Sequence, residues 1–527
     1  MTVWWKRGVI YQIYPRSFQD TNGDGVGDLK GITARLEYLT WLGVDAIWIS
    51  PIYPSPMADF GYDVSDYCNI DALFGSLEDF DDLVTLAHAR GIKVILDFVP
   101  NHTSDRHPWF LESRSSRTNP KRDWYIWRDA KADGSPPNNW LSQFGGPAWT
   151  MDPVSGQYYL HSFLREQPDL NWRNPDVRRA MYAVLQFWLD RGVDGFRVDA
   201  IWLLIKDAAL RDNPPNPKYK PTEAGVYRVI QVYNADQPEI HEVIAEMRSG
   251  LERYHERVLI GEIYLPLERL VSYYGKDLGG AHLPFNFQLI HAAWTASSIA
   301  QLVTDYEAAL PPGGWPNWVL GNHDQPRIAA RVGNAQARIA AMLLLTLRGT
   351  PTLYYGDELG IGRVAVPRDA VQDPWEKNEP GLGLGRDPSR TPFQWDATPN
   401  AGFTRTKPWL PLDSGYAVCN AAMQRNDSTS ILALYHHLLR VRRRHEALAT
   451  GAFRMIDVQN NVLIYERVGQ DERILVCLNF GNDSGQVVAR QHVRGVKILA
   501  STHPDRTKLD ADLLLRPNEG LTILLAS

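Results

Sequence analysis

The sequence predicts an α/β protein: a (β/α)8 TIM barrel of parallel strands, with an inserted subdomain after strand 3 and a C-terminal antiparallel β domain. Three observations point there. Eight apolar, strand-like runs, at 9–14, 46–50, 94–99, 195–198, 258–261, 283–287, 318–320 and 352–355, alternate with helical patterns. Such alternation builds βα units and a parallel sheet. Three runs end on an acid, in Gly195-Phe196-Arg197-Val198-Asp199, Leu259-Ile260-Gly261-Glu262 and Gly321-Asn322-His323-Asp324. A barrel collects its chemistry at the C-terminal ends of its strands, so acids on three tips converge on one face. Finally, the stretch 101–171 is rich in Pro, Gly, Trp, Ser and Asn and is too long for an ordinary βα loop.

The helical patterns lie at 29–42, 77–90, 177–191 and 335–347, and Gly43, Gly91 and Gly192 stand where a C-cap glycine belongs, between helix and strand. A second long Pro- and Gly-rich loop, 364–396, follows the eighth strand on the active face, where long loops serve binding. From about residue 447 the pattern changes to short strands at 462–467, 473–479, 487–489 and 521–525. The expected domains are the barrel at 1–100 and 172–446, the inserted subdomain at 101–171 and a C-terminal β-sandwich domain at 447–527.

With 527 residues, 44% of them hydrophobic, the chain can bury a large core and support more than one domain. A net charge of −6 argues against a nucleic-acid partner. No apolar run approaches a membrane span, and Met1-Thr2-Val3-Trp4-Trp5-Lys6 leads straight into the first strand without a secretory h-region. A cytoplasmic enzyme with small-molecule substrates and no membrane partner is the expectation, as a monomer or homodimer. Cys68, Cys419 and Cys477 are odd in number and far apart, which suits reduced thiols rather than a disulfide framework. The 18 Trp and 23 Tyr serve chiefly core packing, with a share available as flat platforms for sugar rings.

The acids differ in setting. Asp199 lies two residues after Arg197, so strand alternation puts both side chains on one face, and the guanidinium favours an ionised carboxylate, a candidate nucleophile. A plain buried Arg–Asp pair fits the same segment. Glu262 follows an apolar strand; a partly apolar pocket raises a carboxyl pKa and allows proton donation near neutrality. A helix-capping acid fits equally. Asp324, in a tight Asn322-His323-Asp324 turn before Pro326, could hold sugar hydroxyls or form an Asx-turn or N-cap. Taken together, a nucleophile, an acid/base and a stabiliser match retaining glycoside hydrolysis. His102, ending Asp97-Phe98-Val99-Pro100-Asn101-His102, and His323 can donate to hydroxyls.

The loop Asp20-Thr21-Asn22-Gly23-Asp24-Gly25-Val26-Gly27-Asp28 carries oxygen ligands at alternating positions, like the first nine residues of an EF-hand loop. Asp20, Asn22, Asp24 and Asp28 would give side-chain oxygens and Val26 its carbonyl. The twelfth position is Gly31 rather than Glu, so the loop is no true EF-hand. A structural Ca²⁺ is expected there; an Asx-rich turn without metal is the alternative. No His/Cys cluster suggests a catalytic metal, and no organic cofactor is expected.

These motifs resemble the α-amylase superfamily, glycoside hydrolase family 13, in its α-glucosidase and oligo-1,6-glucosidase branch. The resemblance spans nearly the whole chain: Gln12-Ile13-Tyr14-Pro15-Arg16-Ser17-Phe18, Asp97 to His102, Gln167-Pro168-Asp169-Leu170-Asn171, Gly195 to Asp199, Gly261-Glu262, Asn322-His323-Asp324 and Arg390-Thr391-Pro392-Phe393-Gln394-Trp395. It implies Asp199 as nucleophile, Glu262 as acid/base and Asp324 as transition-state stabiliser. It also implies Asp59 and Tyr62 gripping the terminal glucose, with His102, Arg197 and His323 as further polar partners and Phe144 and Phe163 as pocket walls. Arg386 would pair with the acid at the pocket floor, and the metal loop matches the family's Ca²⁺ site. Ala200, after the nucleophile, resembles α-1,4 enzymes, where Val accompanies α-1,6 cleavage. The implied activity is a retaining exo-α-glucosidase acting on maltose and short α-glucosides, with glucosyl transfer to alcohols or sugars. A predominant glucosyltransferase, or a sucrose- or isomaltose-active relative, is the alternative. Gln325-Pro326-Arg327-Ile328-Ala329-Ala330-Arg331 lacks the Arg/Asp-dense loop of isomerases. A non-catalytic barrel of the transporter-associated kind would have lost acids that this chain keeps.

Overall fold

The computed structural model describes residues 3–486, 497–509 and 513–526. Eight strands form the barrel: β1 (Ile10–Ile13), β2 (Ala46–Ile49), β3 (Lys93–Phe98), β4 (Gly195–Val198), β5 (Val258–Gly261), β6 (Leu283–Asn286), β7 (Asn317–Val319) and β8 (Thr350–Tyr354). They close in the order β1-β8-β7-β6-β5-β4-β3-β2, each paired parallel to its neighbours. Each overlaps one of the apolar runs read from the sequence.

Alternation along the strands divides the core. Ile10, Ala46, Trp48, Ile95, Val258, Ile260, Phe285 and Val319 belong to one apolar cluster that fills the barrel. Tyr11, Ile47, Leu96, Phe98, Phe196, Val198 and Leu259 join the larger cluster shared with the helices. The same parity carries Asp97, Arg197, Asp199 and Glu262 onto the inward face, because each lies two residues from an inward neighbour or one from an outward neighbour. Register then sets them side by side: Asp97 pairs with Arg197 across β3 and β4, and Arg197 with Ile260 across β4 and β5.

The helix Leu77–Ala89 starts at a Ser76–Asp79 capping box. Asn174 caps Pro175–Asp190, with Pro175 in the first turn. Two expectations shift. The stretch 29–42 is two helices, Leu29–Ala34 and Leu36–Leu42, parted at Arg35. Arg35 donates to Gln19 Oε1 at 2.8 Å and stacks 4.0 Å over the Trp395 ring. The helix expected at 335–347 runs Ile328–Thr346, with Gly333 (φ 78°) marking a kink near its start. Gly43, Gly91 and Gly192 all adopt positive φ, as their positions after helices require.

The segment after β3 carries a three-stranded sheet, with Gln157–Leu160 between Trp127–Asp129 and Trp149–Asp152. Near the C-terminus, five antiparallel strands are β9 (Ala452–Gln459), β10 (Val462–Val468), β11 (Arg473–Asn479), β12 (Lys497–Ser501) and β13 (Gly520–Leu524), in the order β9-β10-β11-β13-β12. Gly485–Gln486 and Leu514–Leu515 pair as a separate two-stranded sheet, and Leu515 packs with Val462, Leu475 and Ile523. The strand expected at 487–489 lies outside the described residues. The strand β9 escaped the sequence reading because its residues are exposed or half-buried along its whole length, which leaves no apolar run. Tyr465 and Val476 turn the other face toward the helix Ile328–Thr346, whose last carbonyls accept from buried arginines: Leu345 O from Arg442 and Thr346 O from Arg467. Among the described residues no helix is long and apolar enough to cross a membrane.

Gly195 begins the strand that bears Arg197 and Asp199. A Cβ there would lie 2.4 Å from both Val258 Cγ1 and Val258 O. Gly195→Ala must therefore part β4 from β5, and about 1–3 kcal/mol of stability is the expected loss. Thermal unfolding checks this; an unchanged midpoint would show that the pair of strands yields without cost.

Candidate active site

The guanidinium of Arg197 is the meeting point of three acids. It is fully buried, its carbon 5.1 Å from the Trp48 ring centroid. Its Nη1 donates to Asp199 Oδ1 at 2.6 Å and to Asp97 Oδ1 at 2.8 Å. Its Nη2 lies 2.8 Å from Glu262 Oε1, an ion contact outside hydrogen-bonding geometry. Glu262 Oε2 accepts from the Ala200 backbone N–H at 2.8 Å. Ala200 has φ 44° and ψ 37°, a left-handed conformation that costs energy in a residue with a Cβ. That twist turns its N–H toward Glu262 directly after Asp199.

A second cluster holds Asp324. Its Oδ1 accepts from Arg386 Nη1 at 3.1 Å and Arg390 Nη2 at 2.8 Å. Arg386 also donates to Asp59 Oδ1 at 2.8 Å and to Asp373 Oδ1 at 2.7 Å. Gln12 Nε2 lies 2.8 Å from His323 Nδ1, and Tyr62 OH 2.7 Å from His323 Nε2. The Tyr62 and His323 rings stack at 5.3 Å and 4°. An Nδ1 that accepts from Gln12 leaves the proton on Nε2, aimed at Tyr62. His102 Nε2 sits 3.1 Å from both the Tyr62 carbonyl and Gln167 Nε2.

Electrostatics separate the acids. Burial pushes Glu262 well above the usual carboxyl range; Arg197 pulls it down, and Asp199 and Asp324 push it further up. Burial also raises Asp199, against Arg197 and His102. Arg197 favours the ionised form of Asp199, but burial is the larger influence and the carboxyl is raised on balance. Burial would raise Asp324 too, but His323, Arg386 and Arg390 outweigh it and hold it well below the usual range. Burial lowers both His102 and His323, so both are neutral near pH 7.

These groups line a cavity of about 210 Å³. Of the residues singled out in the sequence, Asp59, Tyr62, His102, Phe144, Phe163, Asp199, Glu262, His323, Asp324 and Arg386 all face it. Arg197 and Ala200 stand behind its wall. Sequence reasoning assigned no role to Gln143, Trp202, Tyr227, Gln231, Tyr264, Gln325 and Trp375, which also line it. Asp373, which anchors Arg386, also went unassigned. Trp375 comes from the helix Pro374–Asn378 in the long loop after β8, and that loop is tied down across the pocket. Asn378 Nδ2 donates to Phe144 O at 3.1 Å, and Glu379 Oε1 accepts from Gly225 N at 2.8 Å. A larger groove, about 880 Å³, lies between the helices Pro175–Asp190 and Ile240–Leu251, away from the strand tips.

The loop 20–28 is closed by its own hydrogen bonds. Asp20 accepts from Gly23 N and Gly25 N, Asn22 Oδ1 from Asp24 N, Asp24 Oδ1 from Val26 N, and Asp28 from Thr21 N and Gly31 N. Its donor set is all hard oxygen, which fits Ca²⁺ in chemistry. Among the described residues, no three His, Cys, Asp or Glu side chains converge at metal-binding distance.

Residues 12–451 match the family profile described as "Alpha amylase, catalytic domain". The chain belongs to the α-amylase family, glycoside hydrolase family 13. It is 43% identical over 497 residues to a probable alpha-glucosidase of Rhizobium meliloti (strain 1021), covering 91% of this chain and 90% of that one. It is 39% identical to an oligo-1,6-glucosidase of Heyndrickxia coagulans, over 92% and 93% of the two chains. Among solved structures, the alpha-glucosyl transfer enzyme XgtA superposes with a TM-score of 0.93 at 41% identity, and a trehalulose synthase MutB mutant with 0.92 at 38%, each over the full length of both chains. The chain is thus a family 13 enzyme of the α-glucosidase kind.

Arg386 is the countercharge for Asp59 and Asp373, both buried. Arg386→Met leaves them unpaired, with an expected loss of about 3–5 kcal/mol. Urea unfolding checks this, and an unshifted midpoint would mean that the pocket floor is held by other contacts.

Proposed function

We propose that this protein is a retaining exo-α-glucosidase releasing glucose from the non-reducing end of maltose and short α-1,4-glucosides. The observation that carries the reading is the sharing of Arg197 by Asp199 and Glu262 at the floor of one pocket. Two carboxylates on one guanidinium suit the close pair of a retaining enzyme, about 5–5.5 Å apart. The Asp59–Arg386 pair and the helix Pro374–Asn378 wall the pocket, which favours a chain end over the middle of a polymer.

Asp199 attacks the anomeric carbon while Glu262 protonates the departing glycosidic oxygen. Glu262, now ionised, takes a proton from water; that water attacks the anomeric carbon and frees Asp199, releasing α-glucose. Asp324, held ionised by its two arginines, and the neutral His102 and His323 bind the ring hydroxyls. An alcohol or sugar in place of water yields a glucoside instead, and the aromatic rim of Trp202, Tyr264 and Trp375 offers such acceptors a surface. The similarity to an alpha-glucosyl transfer enzyme supports this second outcome.

Proton NMR of maltose turnover, with and without an alcohol, tests the reading. Early α-glucose supports it; early β-glucose means inversion and removes Asp199 as nucleophile; an early glucoside in place of glucose makes the enzyme chiefly a transferase. Asp199→Asn is expected to abolish turnover, by about 10⁴-fold or more.

Activity needs Asp199 ionised and Glu262 protonated. Asp199 is raised, so the acid limb lies above an ordinary aspartate's value; Glu262 is raised further, so activity is lost only as pH rises through that higher value. A pH–rate profile with both limbs at ordinary carboxylate values would contradict this.

Ala200, buried directly after the nucleophile with its N–H on Glu262, carries the α-1,4 preference by resemblance. Maltose is expected to exceed isomaltose by about tenfold in kcat/KM; parity would remove the assignment. The loop 20–28 is proposed to take Ca²⁺ in a structural role. Ca²⁺ should raise the unfolding midpoint, chelator should lower it, and Asp24→Ala should erase the difference. No Ca²⁺ effect would leave the loop an Asx-rich turn.

A further inference from the structure

Three of the rings that line the pocket come from three separate long segments. Phe144 belongs to the inserted segment after β3, Tyr227 to the stretch between β4 and β5, and Trp375 to the loop after β8. Tyr264, by contrast, follows β5 directly and is stacked on Phe287 at 4.3 Å and 3°. Tyr227 is 53% exposed and its neighbour Ile230 47%, so apolar surface beside the pocket is left for a bound molecule to cover.

Glu379 joins all three segments. Its Oε1 accepts from Gly225 N at 2.8 Å, and its Oε2 from Trp375 Nε1 at 3.2 Å. Its side chain lies against Gly145, where a Cβ would come 2.8 Å from Glu379 Cγ. A Cβ at Gly225 would come 2.6 Å from Glu379 Oε1. Two glycines from different segments thus leave the space that this side chain fills. Next to it, Asn378 donates to Phe144 O at 3.1 Å, and the Phe144 and Trp375 rings meet at 5.5 Å. Both carboxylate oxygens are engaged, each by a different segment or ring.

We propose that Glu379 is a positioning residue for the acceptor: it holds Phe144, Tyr227 and Trp375 as one platform for a ring-bearing alcohol or sugar, and so sets how the glucosyl-enzyme divides between that acceptor and water. This rests on the retaining reading above. In the second half of that reaction the acceptor oxygen bonds to the anomeric carbon, the bond to Asp199 breaks, and Glu262 takes the acceptor's proton. Water follows the same course and needs no platform. A ring-bearing acceptor gains from stacking on aromatic faces. A platform already in place spares the cost of ordering side chains and loops when the acceptor binds. Releasing Glu379 therefore weakens the ring-bearing acceptor and leaves water as it was.

The test is proton NMR of maltose turnover in the presence of benzyl alcohol or of methanol, read as the ratio of glucosyl units transferred to those hydrolysed. That ratio belongs to the intermediate and is independent of how much of a variant is folded. In Glu379→Ala the benzyl alcohol ratio should fall about three- to tenfold, with the methanol ratio held within about twofold. Gly225→Ala, whose Cβ displaces the carboxylate without removing its charge, should repeat this pattern. Equal falls for both alcohols, or an unmoved benzyl alcohol ratio in either variant, would overturn the proposal. Wild-type protein that makes glucose but no benzyl glucoside would overturn it and leave the glucosidase reading standing; no turnover of maltose would overturn both. Trypsin cleavage after the exposed Lys377, followed without substrate, should quicken in Glu379→Ala. An unchanged rate would show that Glu379 does not hold the loop and would overturn the proposal.

Discussion

The active face is organised by one constraint: a fully buried guanidinium must be neutralised where it lies. Arg197 sits inside the barrel beneath the strand tips, where an isolated charge would cost several kcal/mol. Asp97, Asp199 and Glu262 converge on it from three adjacent strands or their ends, and parallel pairing with strict alternation is what delivers them. Burial raises all three carboxyls above their ordinary values, and one guanidinium shared among them does not bring them back. The same geometry that pays for burying the arginine thus leaves Glu262 able to hold a proton.

The second cluster is arranged in the opposite sense. Asp324 has two guanidiniums within hydrogen-bonding distance, and Asp59 and Asp373 share one of them. Here positive charge is plentiful around Asp324, and it stays ionised. Two acids of one pocket, the buried Glu262 and the half-buried Asp324, are driven in different directions by how many arginines each one shares. The arginines of this cluster come from the loop after β8, so the loop that covers the pocket also sets the charge on its floor.

Much of this was legible in the chain. Gly195 to Asp199 announced an arginine and an acid on one strand face, because period two leaves no other arrangement. Asp59, Tyr62, His102 and His323 came from the motifs that carry the family resemblance, and the structure gathers them in one cavity. The rim was not legible. Tyr227, Gln231 and Trp375 lie in long loops without periodicity, and their approach depends on contacts such as Asn378 to Phe144 O that join residues 234 positions apart. Arg35 broke a helix that reads as continuous, because Gln19 and Trp395 lie on another part of the chain.

By itself the sequence determined the barrel, the inserted segment, the inward parity of the acids and the identity of the residues that would meet at the strand tips. These follow from local rules: apolar runs of strand length, glycines after helices, and alternation. Only the tertiary structure decided which acid shares which arginine, which histidine nitrogen meets which partner, and that Ala200 stands behind the wall. It also decided that Asp97 accepts from both Arg197 and Tyr62. Each of those depends on distances of a few ångströms between strands far apart in the chain, and at that range burial and charge decide the chemistry while sequence spacing carries no information about it.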